Sequence, residues 1–124
     1  MGKRVHVIKR HEEYGDSEAF NWRYEEFKDM LGCLNCYMCS EEYACDRFEC
    51  VVSEYKTALK LAKAYKKNGR TKKVIEKFED NNADIDEFED YLDGLGGIDN
   101  VVENMQAFYE ERDKKSSWIS FAAW

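Results

Sequence analysis

The chain has 124 residues, 44% of them hydrophobic and 15% aromatic, and carries a net charge of −7. That is the length of one domain, with enough large side chain for a core that needs no metal or disulfide staples. The charge opposes nonspecific binding to nucleic acid or an anionic membrane surface, and no apolar run approaches the roughly 20 residues of a membrane span.

The first ten residues, MGKRVHVIKR, alternate apolar with basic positions. An export signal needs a continuous apolar block instead, so a cytoplasmic protein is expected. Gly2 lacks the Ser or Thr that a myristoylation pattern wants at position 6, where His6 stands. Within this stretch, 4–9 read as a strand, with Val5 and Val7 on one face and His6 and Ile8 on the other. A turn at 14–17 follows, with Asp16 or Ser17 as cap. The next helix, to about Leu31, has Phe20, Tyr24, Phe27 and Leu31 as its stripe and Gly32 as its stop.

All five cysteines then fall in CLNCYMCSEEYACDRFEC, residues 33–50. Beyond them 47–52 alternate again as a second strand, with Phe48, Cys50 and Val52 facing inward. Ser53 is placed to cap a helix over 54–68, whose stripe is Tyr55, Ala58, Leu59, Ala62 and Tyr65 and whose stop is Asn68-Gly69. Residues 74–78 suit a helix or a strand. Asp84 opens a further helix, with Glu87 three positions on in capping-box style; Ile85, Phe88, Leu92 and Leu95 form its inner face. Gly94, Gly96 and Gly97 make a turn before a last helix over about 98–113. The apolar tail SWISFAAW is expected to dock as an edge strand or plug the core.

The pattern predicts one α+β domain: a small sheet of two or three strands with a β-α-β-α start, packed by four to five helices. A helical crossover makes the first two strands parallel.

The cysteines admit three readings. A structural zinc site would use Cys33, Cys36, Cys39 and Cys45, because a C-x2-C knuckle is the usual half of one. The second half is irregular, and the bacterial iron–sulfur pattern breaks after the third cysteine. Redox chemistry is the second reading. The third, which the spacing favours, is a loop of reduced thiols packed against Leu34, Tyr37 and Met38, with Cys50 a small buried hydrophobe. No cofactor is therefore expected, zinc being the alternative.

The acidic run 79–93 resembles a calcium loop beginning at Asp80, with Asn82 and Asp84 in place. It has Ile85 where glycine must turn and Tyr91 where glutamate must close the shell. An amphipathic helix explains it better. The basic run 56–73 holds eight cations and no acid, as a solvated face, a partner for the acidic helix or a phosphate contact would. His6 and His11 come with no recognisable nucleophile, and no phosphate loop or hydrolase motif occurs. A thiol near the end of a helix sits at the negative end of its dipole, which disfavours a nucleophile.

The expectation is a noncatalytic protein-interaction or regulatory module with an unidentified protein partner, no membrane partner and no nucleic acid. Its candidate surfaces are the aromatic tail (Trp118, Phe121, Trp124) and the acidic helix face (Asp86, Glu87, Glu89, Asp90, Asp93). An acidic inhibitor that mimics nucleic acid is the other alternative. It requires those carboxylates to be spread over an outer surface and not neutralised by the 56–73 cations.

Overall fold

A computed structural model of the chain describes residues 5–10, 13–14, 20, 23–40 and 47–123. In chain order these form β1 (Val5–Arg10), β2 (Glu13–Tyr14), α1 (Tyr24–Cys33), β3 (Cys39–Ser40), β4 (Arg47–Val51), α2 (Val52–Asn68), α3 (Lys72–Asp80), α4 (Ile85–Leu92), α5 (Ile98–Glu111) and β5 (Trp118–Ala123). The fold is α+β and dominated by helix, with three main strands, β1, β5 and β4, and the two-residue β2 and β3 at the edges. Among the described residues no helix is long and apolar enough to cross a membrane.

Alternation decides which way each strand faces. Val5 and Val7 of β1, Phe48 and Cys50 of β4, and Ile119 and Phe121 of β5 are all buried. The registers align them: Val7 lies opposite Phe121, Phe121 opposite Phe48, and Ile119 opposite Cys50. On this inner face Phe121 meets Phe27 of α1, Tyr55 of α2 and Phe108 of α5, with ring centroids 5.6, 5.8 and 5.3 Å apart. The helices α1, α2 and α5 thus pack on one side of the sheet. A second centre lies further out, where Phe88 of α4 meets Phe78 of α3 at 5.5 Å and Tyr65 of α2 at 5.4 Å. The other sheet face carries the row His6, Ala122 and Arg47, then Ser120, Glu49 and Cys39, then Trp118 and Val51.

Two expectations about topology need correction. The tail does dock as a strand, but not at the edge of the sheet. As β5 it is the central strand, in the order β2-β1-β5-β4-β3. Consequently β1 and β4 are not neighbours. Each runs antiparallel to β5, so they point the same way with β5 between them. The physical reason is that β5 alternates buried apolar with small residues and can offer a full hydrogen-bonding edge to each side.

Helix ends also differ from the residue-by-residue reading. The helix expected from 16–17 begins at Tyr24; Phe20 precedes it in a left-handed conformation, φ 55°, though still buried. The expected caps at Asp16 and Ser17 lie outside the described residues. Gly32 does not stop α1. The helix runs through it to Cys33, and the left-handed residue is Asn35, φ 61°. There the Cys36 N–H donates to the Leu31 carbonyl at 2.9 Å and the Asn35 N–H to the Gly32 carbonyl at 3.0 Å. This is a Schellman closure, with Cys36 and Leu31 as its buried apolar pair. Ser53 is not a cap either. β4 runs straight into α2, and the Val52 N–H donates to the Ser117 carbonyl at 2.9 Å, so the residue just before β5 satisfies it. The ambiguous 74–78 segment is helix α3: Thr71 caps it by accepting from the Val74 N–H, and Val74 and Phe78 share its buried side. The last helix closes at Glu111, slightly before the expected 113.

Candidate functional site

The structure separates the cysteines. Cys50 points inward from β4, fully buried, and Cys36, also fully buried, is its hydrogen-bonding neighbour. That hydrogen bond, burial and the nearby Glu54 and Glu49 all push the Cys50 thiol well above its ordinary range. Cys33 ends α1, and its Sγ donates to the Met30 carbonyl at 2.9 Å. Burial first, then the carboxylates of Glu87, Asp84 and Asp29, raise its pKa from 9.0 to about 12. Cys39 lies on the other sheet face, opposite Glu49. Cys45 lies outside the described residues. The proposed zinc ligands Cys33, Cys36 and Cys39 therefore have three different surroundings. Among the described residues no group of three or more His, Cys, Asp or Glu is arranged to hold a metal ion.

The tail residues divide similarly. Phe121 is fully buried at the centre of the core, which removes it from the candidate surface. Trp118 is 41% exposed at the start of β5, beside Val51. Trp124 lies outside the described residues, as does His11. His6 is buried on the sheet face away from the helices.

The acidic run is the amphipathic helix α4. Ile85, Phe88 and Leu92 are buried, and the Asp84 side chain caps the helix by accepting from the Glu87 N–H at 3.1 Å. Asn82 takes the left-handed position that closes α3. Two of the three residues that resembled calcium ligands are thus occupied in ending one helix and starting the next. Arg70 binds both Asp86 and Glu89, and the Tyr65 hydroxyl donates to Glu89 at 2.7 Å. Glu87, Asp90 and Asp93 stay exposed and form no ion pair with a described residue. The 56–73 run therefore neutralises only part of the acidic face, and does so through Arg70.

What the fold adds is a junction between the cysteine segment and this helix. The Asp84 N–H donates to the Cys33 carbonyl at 2.7 Å, and the Asn35 amide donates to the Asn81 carbonyl at 3.1 Å. Between α1 and α4 lies a cleft of about 460 Å³. Asp29 and Lys28 line one wall, Glu87 and Tyr91 the other, and the connector 35–38 closes one end. Burial, then Asp29 and Glu87, push the Tyr91 hydroxyl above its ordinary range, as the same two carboxylates help do for Cys33. The mouth is thus electronegative. At its edge stands Tyr37, 73% exposed, its backbone N–H held by the Glu54 carboxylate at 2.9 Å. The expected packing of Tyr37 against the cysteines gives way to exposure. The Schellman closure at Asn35 instead turns the chain so that Cys36 goes in and Tyr37 goes out.

Of the residues lining the cleft, Glu87 is one of the acidic-face candidates of the sequence, whereas Asp29, Tyr37 and Tyr91 are not among its candidates. Asp29 and Glu87 are far apart in the chain, and no local pattern pairs them. The one local signal for Tyr37 is the positive-φ Asn-x-x spacing after α1, which reverses the inward and outward alternation.

Comparison of the chain with protein-family models, with curated proteins and with solved structures gave no match.

Proposed function

We propose that the protein is a noncatalytic interaction module that holds a basic segment of a protein partner in the cleft between α1 and α4. One observation carries this reading: an exposed tyrosine, Tyr37, stands beside a concave cleft of about 460 Å³ whose carboxylates Asp29 and Glu87 form no ion pair with a described residue. Tyrosine is favoured as an interface anchor because it brings large area at small entropic cost, and carboxylates around it select a lysine or arginine. The noncatalytic part is supported by the thiol at the cleft. With a pKa near 12, Cys33 is a neutral thiol at physiological pH and a poor nucleophile.

The test is affinity capture from the native host with mass-spectrometric identification, comparing wild type with Tyr37→Ala and Glu87→Lys. Both positions are exposed, so circular dichroism melts of the variants are expected to match wild type. A partner retained by wild type and lost from both variants is the expected result. Identical capture by all three proteins contradicts the cleft as the contact surface.

A further inference from the structure

Along its exposed side, α2 shows the opposite charge. Lys56, Lys60, Lys63 and Lys67 recur at helical spacing on its exposed side. They span about 16 Å of axis at about 1.5 Å per residue. None of the four pairs with a carboxylate of a described residue, whereas Lys66 and Arg70 nearby do, with Asp99 and with Asp86 and Glu89. The nearest acid upstream, Glu54, is occupied by the Tyr37 N–H. Three of these lysines, Lys56, Lys60 and Lys63, border a groove of about 150 Å³ between α2 and α5, with Leu59, Gln106 and Tyr109 as its other lining. Arg112 lies over the Tyr109 ring at 3.9 Å and leaves its buried Nε–H without a hydrogen-bond partner among the described residues; the buried Gln106 Oε1 is likewise unused.

We propose that this groove docks an acidic, extended segment of a protein partner, with Lys56, Lys60 and Lys63 pairing its carboxylates and Tyr109 contacting an apolar side chain between them. Alternate side chains of an extended strand lie about 6.7 Å apart, and flexible lysines rising about 6 and 4.5 Å along the helix reach that spacing easily. A protein segment fits better than nucleic acid for two reasons. The net charge of −7 repels a uniformly charged polyphosphate. The groove also has an apolar floor, Leu59 and the Tyr109 ring, which a polyphosphate leaves unused. The site extends the interaction-module reading to a second face and does not depend on the α1–α4 cleft.

The test is fluorescence anisotropy at 50 mM salt with three labelled 12-residue probes: a peptide alternating Glu with Leu or Phe, the same peptide with Lys in place of Glu, and a single-stranded DNA oligonucleotide. Saturable binding of the acidic peptide is expected. It should weaken at least tenfold in Lys60→Glu/Lys63→Glu, and change less than twofold in Lys72→Glu/Lys73→Glu and in Glu87→Lys. The Glu87→Lys arm separates this groove from the α1–α4 cleft. The proposal is overturned by absence of acidic-peptide binding, by equal losses in the two lysine variants, or by tighter binding of the oligonucleotide that Lys60→Glu/Lys63→Glu abolishes.

Discussion

Four aromatic rings surround Phe121, and Phe48 stacks on it at 5.3 Å with the planes 22° apart. Removing the ring leaves a cavity bordered by both the sheet and three helices. Phe121→Ala is therefore expected to cost about 3–5 kcal/mol, a large share of the roughly 5–15 kcal/mol that such domains have in total. Urea unfolding measures it, and a loss below about 1 kcal/mol contradicts the assigned centre. The buried thiols make a separate prediction. A Cys33 pKa raised to about 12 means that the native state keeps a proton which the unfolded chain releases near 9.0. Its stabilising contribution is complete below pH 9 and falls as pH rises toward 12, by about 1.4 kcal/mol per pH unit. Unfolding free energies at pH 8 and pH 10.5 check this, and Cys33→Ala should flatten the slope by that thiol's share. At this scale the alternation of β1 and β4 was readable, including the inward turn of Cys50. The place of Phe121 is not readable, because a short apolar tail looks the same whether it lies at an edge or at the centre.

Elements begin and end where the backbone can satisfy its own polar groups. Both α1 and α3 close on an asparagine with positive φ, Asn35 and Asn82, and the α4 region closes on Gly96, φ 90°. At Gly96 an added Cβ would meet the Asn100 amide nitrogen at 2.8 Å, the same amide that donates to the Leu95 carbonyl. Asn82→Gly is expected to be neutral or slightly stabilising, because glycine takes this conformation freely. Asn82→Val should cost about 1–2 kcal/mol, since an L-residue with a branched Cβ resists it. Thermal melts of the pair decide the matter; equal melting temperatures contradict the capping role. Thr71→Ala removes the side-chain cap of α3 and should cost about 1 kcal/mol. The segments α2, α4 and α5 are legible, because each presents a clear apolar stripe; α3 is not, because Val74, Ile75 and Phe78 suit a helix or a strand. The stops were less so: Gly32 looked like an end because asparagine competes with glycine for the left-handed position, and only the hydrogen bonds show which residue takes it.

The whole molecule is organised by its last strand and by its charges. β5 joins β1 to β4, so residues far apart in the chain must meet before the sheet exists; no local pattern announces such a pairing, and a helical crossover suggested adjacent parallel strands instead. A separate long-range junction, the Asp84 N–H to the Cys33 carbonyl and the Asn35 amide to the Asn81 carbonyl, sets α1 beside α4 and brings Asp29, Tyr37 and Glu87 to one cleft, a juxtaposition no local pattern announces. Charge is segregated, with carboxylates at the α1–α4 cleft and lysines along the exposed side of α2. The central claim is that packing around β5, and not metal ligation by the cysteines, holds the chain together. Native-state hydrogen exchange of the 119–122 amides in protein treated with EDTA tests it most directly. These amides should remain among the slowest-exchanging in the molecule, with or without the chelator. Exchange that becomes as fast as that of an unfolded chain when the chelator is added contradicts the claim.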